Sequence, residues 1–249
     1  MLRPRLITTL TFENGVLFRT KNFQPDYRYT ANFVDAWSID EVVLLDITRP
    51  ENANRPAFLE IIRSFAKKAF VPICAGGGIK SLEDVSQFLR EGADKVAVNT
   101  QAVANPALIT EIAKRYGRQC VVVSIDVKQH SNGEYEVFTD CGRCPTGKTP
   151  VVWAMEAEKM GAGEIFLTSM DRDGSLEGYD NTLNKQVAKA VQIPVIVSGG
   201  AGKWQDFLDG FREGGASAVS TSNIYHFTET SILSAKSFLC ANGTPMRMS

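Results

Sequence analysis

A repeat of about 122 residues is the feature that most constrains how this chain can fold. The segment VPICAGGGI at 71–79 returns as IPVIVSGGA at 193–201, and FLREGADKVAVNT at 88–100 returns as FREGGASAVSTSN at 211–223. IDEVVLLDI at 39–47 returns in the same way as AGEIFLTSM at 162–170. Two such halves fill the 249 residues, and no Pro/Gly/Ser-rich or charged linker separates them. We therefore expect one domain over 1–249, with half-barrels of about 1–118 and 119–249.

Short apolar runs alternate with amphipathic stretches along the whole chain. The apolar runs are rich in β-branched residues, which is typical of parallel strands buried on both faces. In chain order they are RLITTLTF, EVVLLDIT, VPICAGG, KVAVNT, CVVVSIDV, EIFLTSM, IPVIVSGG and AVSTSN. Eight such strands, each followed by a helical pattern, predict a parallel α/β protein closed as a single (β/α)8 TIM barrel of the ribulose-phosphate-binding type.

Glycine-rich loops follow the third and seventh predicted strands, as GGGIKS and GGAGKW. Hydroxyl or amide side chains close the next strand in each half. Glycines let backbone N–H groups approach an anion closely, and a following helix N-terminus favours negative charge. Glycines that only permit tight strand-to-helix turns are the alternative. The symmetric placement favours two phosphate sites that a doubly phosphorylated ligand would span. Their residues are Gly77, Gly78, Asn99, Thr100, Gly199, Gly200, Thr221 and Ser222.

Acidic side chains stand where several predicted strands end, the place where barrels carry their catalytic residues. Asp126, at the end of VVVSID, is suited to general acid/base catalysis, with a structural aspartate as the alternative. Asp46 can be structural as readily as functional, and DRDG at 171–174 can shape a loop around a substrate. The repeat sets Thr11 opposite Asp126, and a threonine hydroxyl is a poor proton acceptor at neutral pH.

Composition excludes several other classes of function. The formal net charge is −1 and the isoelectric point is about 6.2, which gives no case for nucleic-acid or membrane binding. No apolar run is long enough to span a bilayer, and the N-terminus lacks the pattern of a secretory signal. The five cysteines are an odd number and fit reduced thiols better than a disulfide framework. A cytoplasmic location is the expectation.

Cys141 and Cys144 form a CxxC pair near a predicted hairpin after the fifth strand. A structural zinc site needs two more ligands, and a redox pair needs a thioredoxin-like setting, so we expect neither a metal nor another cofactor. His226 and the tryptophans Trp37, Trp153 and Trp204 are expected to pack rather than to react.

Several motifs together resemble the cyclase subunit family of imidazole glycerol phosphate synthase, the HisF-like proteins of histidine biosynthesis. They span almost the whole chain and are LDIT, GGGI, GADKVAVNT, VVVSID, GAGEIFLTSMDRDG, SGGAGK and YHF. The family is a duplicated half-barrel. The resemblance implies an ammonia-dependent reaction on a bisphosphorylated ribulosyl aminoimidazole carboxamide substrate. It also implies that a glutaminase subunit docks on the N-terminal barrel face, that the glycine loops bind phosphate, and that Asp126 is a catalytic aspartate.

The resemblance also implies a gate for ammonia at the N-terminal end of the barrel. Four charged residues that begin strands fall on the family's salt-bridged ring, namely Arg5, Glu41, Lys95 and Glu164. Ordinary surface charge at strand starts is the alternative for any one of them. Two positive and two negative residues would balance one another, and buried charges need such pairing.

Two departures from the family pattern stand in the first strand and its loop. Thr11 replaces the second catalytic aspartate of the family, and Arg19 replaces a lysine. With the gate retained and the acid/base pair broken, we favour a related barrel that receives ammonia for amidation of a surface-polysaccharide sugar, beside a sugar-amidating ligase. An authentic histidine-pathway cyclase that tolerates Thr11 is the alternative. A scaffold that binds only its partner and a phosphorylated ligand is a third interpretation.

Overall fold

The eight apolar runs form eight parallel strands of a closed barrel, as predicted. The computed structural model describes residues 3–28, 39–222 and 232–248. The barrel strands are β1 (Arg5–Glu13), β4 (Glu41–Asp46), β5 (Ile73–Gly76), β6 (Lys95–Val98), β7 (Val121–Gln129), β10 (Glu164–Ser169), β11 (Val195–Ser198) and β12 (Ala218–Thr221). They pair in the order β10-β11-β12-β1-β4-β5-β6-β7, and β10 pairs with β7 to close the ring.

Helices follow the strands and pack around the barrel. They are α1 (Arg55–Ala66), α2 (Leu82–Arg90), α3 (Thr100–Ala104), α4 (Ala107–Tyr116), α5 (Pro150–Met160), α6 (Asn181–Ala190), α7 (Trp204–Arg212) and α8 (Ile232–Ala241), with short 3₁₀ turns at Pro50–Asn52 and Arg118–Cys120. Side chains fix their starts. Asn54 accepts from the Ala57 N–H and Asp180 from the Leu183 N–H, while Ser81 and Asp84 form a capping box.

Two antiparallel additions rise from the carboxyl ends of barrel strands. The hairpin β2 (Val16–Lys21) and β3 (Gln24–Arg28) extends β1, and β8 (Tyr135–Thr139) with β9 (Cys144–Pro145) extends β7. The second addition is the hairpin predicted around the CxxC pair. Both hairpins therefore stand at the end of the barrel where catalytic residues gather.

Side chains alternate along each strand between the helix layer and the barrel interior. One inward side chain from each strand forms an apolar layer across the middle of the barrel: Ile7, Val43, Cys74, Ala97, Val122, Phe166, Ile196 and Ala218. Two residues earlier, in four of the strands, stand the four predicted gate residues. Four residues later stand Thr11 in β1 and Asp126 in β7. The apolar layer thus separates a charged end of the barrel from a polar mouth.

Two of the expectations cannot be placed, since Trp37 and His226 lie outside the described residues. Trp153 of α5 is fully buried, and the Trp204 ring of α7 lies 5.9 Å from that of Phe238 in α8. Among the helices of the described ranges, none is long and apolar enough to cross a membrane.

Candidate active site at the carboxyl end of the barrel

Asp126 lies on β7 at the mouth of the barrel and is enclosed by protein atoms on most sides. Burial, and then the nearby charge of Asp173, raises the pKa of its carboxyl to about 7. The Asn99 side chain donates from Nδ2 to Asp126 Oδ2 at 3.0 Å, which fixes the orientation of the carboxyl group. A carboxyl group with a pKa near neutrality can both accept and return a proton, so Asp126 is chemically suited to general acid/base catalysis.

Thr11 stands at the equivalent height on β1 and is buried. Its Oγ1 donates to the carbonyl oxygen of Phe18 in β2 at 2.5 Å. The hydroxyl proton is therefore engaged in holding the first hairpin to its parent strand. In this position Thr11 supplies neither a general acid nor a general base to the mouth of the barrel.

Asp173 is a second, partly buried carboxyl group of this region. It accepts hydrogen bonds from Thr20 Oγ1 and from the Phe23 N–H, each at 3.0 Å, and so ties the β2–β3 hairpin to the loop after β10. Burial raises its pKa against the opposing effect of these two donors. Within DRDG, Asp173 thus fixes the loop after β10, while its place around a substrate stays a prediction. Arg19 of the same hairpin forms an ion pair with Asp26.

Two other candidate carboxylates serve local structure. Asp46 Oδ1 accepts the Thr48 N–H at 3.0 Å, within the turn that follows β4. Asp171 Oδ2 accepts the Gln129 N–H at 2.8 Å, between the loop after β10 and the end of β7. Burial raises the pKa of both Asp126 and Asp173 at the mouth.

The second glycine loop lines an open pocket with about 310 Å³ of empty space. The pocket brings together all four residues predicted for this half, Gly199, Gly200, Thr221 and Ser222. Ser198, Ser220, Asp173, Gly174, Leu176 and Ala201 complete its lining. Small residues, hydroxyl groups and a glycine turn form a surface that a phosphate group can approach closely. Phosphate at this pocket remains a prediction.

The first glycine loop has the same local construction. Asp84 Oδ2 accepts the N–H groups of Lys80 (2.9 Å) and Ser81 (3.0 Å). In the second loop, Asp206 Oδ2 accepts those of Gly202 (2.8 Å) and Lys203 (3.0 Å). Gly77 has a φ of +117°, and a Cβ there would lie 2.3 Å from the Asp46 carbonyl oxygen, so the sequence needs glycine at this turn.

Asn99 and Thr100, which the sequence also assigns to phosphate, have partners within the protein. Asn99 holds Asp126 through Nδ2, while its buried Oδ1 has no hydrogen-bond partner in the described part of the chain. Thr100 Oγ1 accepts the Asp140 N–H of the second hairpin at 3.1 Å. Asn99 therefore links the loop after β6 to the carboxyl group of Asp126, a contact that the sequence did not predict.

The four predicted gate residues form a closed ring of ion pairs at the N-terminal end of the barrel. Arg5 binds Glu41 at 2.6 Å and Glu164 at 2.7 Å. Lys95 binds Glu41 at 3.0 Å and Glu164 at 2.8 Å. Burial lowers the pKa of Lys95, but the two carboxylates outweigh it and the net pKa is raised, so the ammonium stays charged. The ring is neutral as a whole, as its burial requires.

The thiols of the CxxC pair remain free. Cys141 is partly buried and Cys144 is exposed. Burial, and then the charges of Asp126 and Asp140, raises the pKa of the Cys141 thiol, which makes it a weak nucleophile. Within the described ranges, no group of three or more His, Cys, Asp or Glu side chains could hold a metal ion.

Sequence reasoning missed two contributors to the mouth as individual residues, Ser198 and Ser220. Ser220 Oγ is 2.5 Å from Thr9 Oγ1 in the barrel interior. The inward alternation along β11 and β12 was a signal that could have identified both serines. Asp173 was a candidate within DRDG, but its contact with the first hairpin was not predicted, because that hairpin is distant in the chain.

The fold and the site define a (β/α)8 barrel with a polar mouth, paired glycine loops and a charged ring at the opposite end. Residues 9–231 match the family described as "Histidine biosynthesis protein". The chain is 46% identical over 252 residues to "Imidazole glycerol phosphate synthase subunit HisF" of Hyphomonas neptunium, with 99% of each chain covered. It is 41% identical over 254 residues to the protein of that name from Dehalococcoides mccartyi, covering 100% of this chain and 99% of the relative. The chain belongs to this histidine biosynthesis family, among the HisF proteins.

Proposed function

We propose that this chain is a HisF-type subunit of imidazole glycerol phosphate synthase. It would accept ammonia from a glutaminase partner and use it on a bisphosphorylated aminoimidazole carboxamide ribonucleotide. The names of both relatives favour this histidine-biosynthesis role. They give no support to amidation of a surface-polysaccharide sugar, which the sequence alone had put first.

The observation that carries the proposal is the alignment of three features along the barrel axis. The ring of Arg5, Glu41, Lys95 and Glu164 closes one end. The apolar layer above it is made of side chains that are neutral and almost fully buried. Beyond that layer, Asp126 stands between the two glycine loops. A neutral ammonia molecule can cross an apolar layer far more readily than an ammonium ion can.

In the mouth, Asp126 would perform the proton transfers. With a pKa of about 7, roughly half of this group is ionised at neutral pH and can take a proton from attacking ammonia. The protonated form can then return the proton to a departing group. Asn99 holds the carboxyl group in place for both steps. The Thr11 hydroxyl donates a hydrogen bond to the Phe18 carbonyl and takes no part in these proton transfers.

The glutaminase partner would dock over the charged ring on the N-terminal barrel face. Ion pairs of this ring must separate, or the ring must shift, before ammonia can pass. A docked partner that offers its own charged groups to Arg5 or Lys95 would lower the cost of that opening. The bisphosphorylated substrate would bind at the opposite end, with one phosphate on each glycine loop.

One observation favours a second function. Thr11 leaves the mouth without the second carboxylate that an acid/base pair would use. A barrel with a retained ammonia ring and a reduced catalytic pair fits the transfer of ammonia to a separate acceptor, such as a sugar-amidating ligase. This second candidate shares the glutaminase partner and differs in the final acceptor.

A single assay separates the two. Wild-type protein receives the bisphosphorylated histidine-pathway substrate and an ammonium salt, with Asp126→Asn as the inactive reference. Turnover well above that reference supports the cyclase. Turnover equal to the reference, together with stimulation of the glutaminase by the barrel, would refute the cyclase and favour the second candidate. Turnover equal to the reference, together with failure of the barrel to bind or stimulate the glutaminase, would refute both.

A further inference from the structure

Arg55, in the first turn of α1, holds the first glycine loop by two hydrogen bonds. Its Nη1 donates to the Gly77 carbonyl at 2.9 Å and its Nη2 to the Gly78 carbonyl at 2.6 Å. The guanidinium carbon lies 4.8 Å from the centre of the Phe88 ring, and Nη2 lies 3.9 Å from Asp84. These contacts fix the planar group, so that its fork can hold two successive carbonyl groups at once.

The second half of the barrel holds its glycine loop in a different way. The repeat of VPICAGGGI as IPVIVSGGA makes Gly200 the counterpart of Gly78. The Gly178 backbone N–H donates to the Gly200 carbonyl at 2.8 Å. The equivalent carbonyl group is thus hydrogen-bonded in both loops. A cationic side chain donates to Gly78 in the first loop, and a neutral backbone amide donates to Gly200 in the second.

The orientation of these carbonyls determines where the loop amides point. In a trans peptide the C=O and the following N–H lie on opposite sides. When the Gly77 and Gly78 carbonyls face Arg55, the N–H groups of Gly78 and Ile79 face away from it. Within the described residues those two N–H groups have no protein acceptor, whereas the next two, of Lys80 and Ser81, are taken by Asp84. The two open amides form the surface that an anion would meet.

Among the described residues near the two loops, Arg55 differs from the other cations because its guanidinium hydrogen-bonds directly to loop carbonyls. Each loop has one capping aspartate, Asp84 or Asp206, and one lysine, Lys80 or Lys203. Arg172 passes beside Gly200, but its guanidinium pairs with Glu177 at 3.4 Å on the surface. An aspartate lies near each loop, Asp46 beside Gly77 and Asp173 in the lining of the second pocket. Because the guanidinium of Arg55 is held against the first loop, whereas that of Arg172 pairs with Glu177, the fixed positive charge favours a phosphate dianion at the first loop.

We propose that Arg55 is a positioning residue that makes the first glycine loop the stronger of two phosphate subsites. Its two hydrogen bonds orient the loop so that the Gly78 and Ile79 N–H groups face the ligand. Its guanidinium adds one positive charge on the opposite side of the loop. This inference rests on the proposed function, which supplies the two phosphate subsites. It adds that the subsites are unequal and names the side chain responsible.

The test is a titration of the full-length protein, labelled with ¹⁵N-glycine, with inorganic phosphate. The amide signals of Gly77 and Gly78 report the first subsite, and those of Gly199 and Gly200 report the second. In wild type we expect both pairs to respond, with the lower Kd at the first. Arg55→Met removes the charge and both donors at similar length. It should raise the Kd of the first pair about tenfold, as expected for one charge-assisted contact, and leave the second pair within about twofold.

Two further variants separate positioning from general stability. Arg55→Lys keeps the charge but cannot hold both carbonyls, so its Kd at the first pair should fall between those of wild type and Arg55→Met. Arg63→Met is the matched control, because Arg63 lies on the same helix and pairs with Glu60 and Glu91 away from the loop. It should change neither Kd.

Each other outcome overturns a defined part of the reasoning. An unchanged Kd at Gly77 and Gly78 in Arg55→Met would refute the role of Arg55 and leave the proposed function intact. Equal weakening of both pairs would show that Arg55 supports only the fold, and would also refute the role. If neither pair responds in wild type, the phosphate subsites of the proposed function are wrong and this inference falls with them.

Discussion

Replacing Asp126 with asparagine should both abolish proton transfer and stabilise the fold, with a defined pH dependence. The change keeps the size of the side chain and an oxygen that can still accept from Asn99 Nδ2. It removes a carboxyl group whose ionisation the folded protein resists. Because the group is the proposed acid/base, the rate of the ammonium-dependent reaction should fall by about 10²–10⁴-fold.

The magnitude of the stability effect follows from the pKa. Burial, with Asp173 second, raises the pKa of Asp126 from 3.8 to about 7. Each pKa unit corresponds to about 1.4 kcal/mol, so ionising Asp126 costs the fold at most about 4 kcal/mol. Water at the open mouth reduces this to about 2 kcal/mol. A raised acid pKa contributes stability that is complete below pH 3.8 and is lost as pH rises through 7.

Urea unfolding of wild type and Asp126→Asn at pH 5 and pH 8 measures this effect. About two of the roughly three pH units between the unfolded and folded pKa values lie above pH 5, so the variant should gain about 1 kcal/mol of stability relative to wild type between the two pH values. Asp171→Asn, which removes an exposed carboxylate from the loop after β10, controls for the loss of one negative charge. A gap between Asp126→Asn and wild type that stays constant within about 0.5 kcal/mol would show that the pKa is not raised, and would remove the physical basis for Asp126 as the acid/base.

Three further changes test other parts of the molecule. Thr11→Asp adds a second carboxylate to the mouth and should raise ammonium-dependent turnover by about 10²-fold; steady-state assays with the bisphosphorylated substrate that show no gain would contradict the equivalence of Thr11 and Asp126. Lys95→Met leaves the two carboxylates of the ring with one cation and should lower the free energy of unfolding by about 3–5 kcal/mol in urea; a loss below about 1 kcal/mol would mean that the ring is well hydrated. Gly77→Ala should weaken phosphate binding at the first loop, because its Cβ would lie 2.3 Å from the Asp46 carbonyl oxygen; isothermal titration calorimetry giving an unchanged affinity would show that the turn can relax.

The order of strands and helices was predictable because the periodicity of the chain is local. A run of β-branched apolar residues indicates a strand that is buried on both faces, and an internal repeat indicates two halves with the same fold. The ring of Arg5, Glu41, Lys95 and Glu164 could also be anticipated, since each residue begins a strand and the family resemblance named it. The roles of Asn99 and Arg55 were not predictable in the same way, because each depends on which carboxyl or carbonyl group lies within 3 Å of one flexible side chain.

By itself, the sequence determined the barrel, its duplicated halves, the paired glycine loops and the place of Thr11 opposite Asp126. These are properties of spacing and residue type, which any chain of this pattern would share. Only the tertiary structure decided that Asp126 has a pKa near 7 and that the Thr11 hydroxyl donates a hydrogen bond to the Phe18 carbonyl. It also decided that Arg55 hydrogen-bonds to the first glycine loop. Those facts arise from burial and from contacts between segments far apart in the chain. A linear pattern does not encode such distances, because they exist only after the barrel has closed.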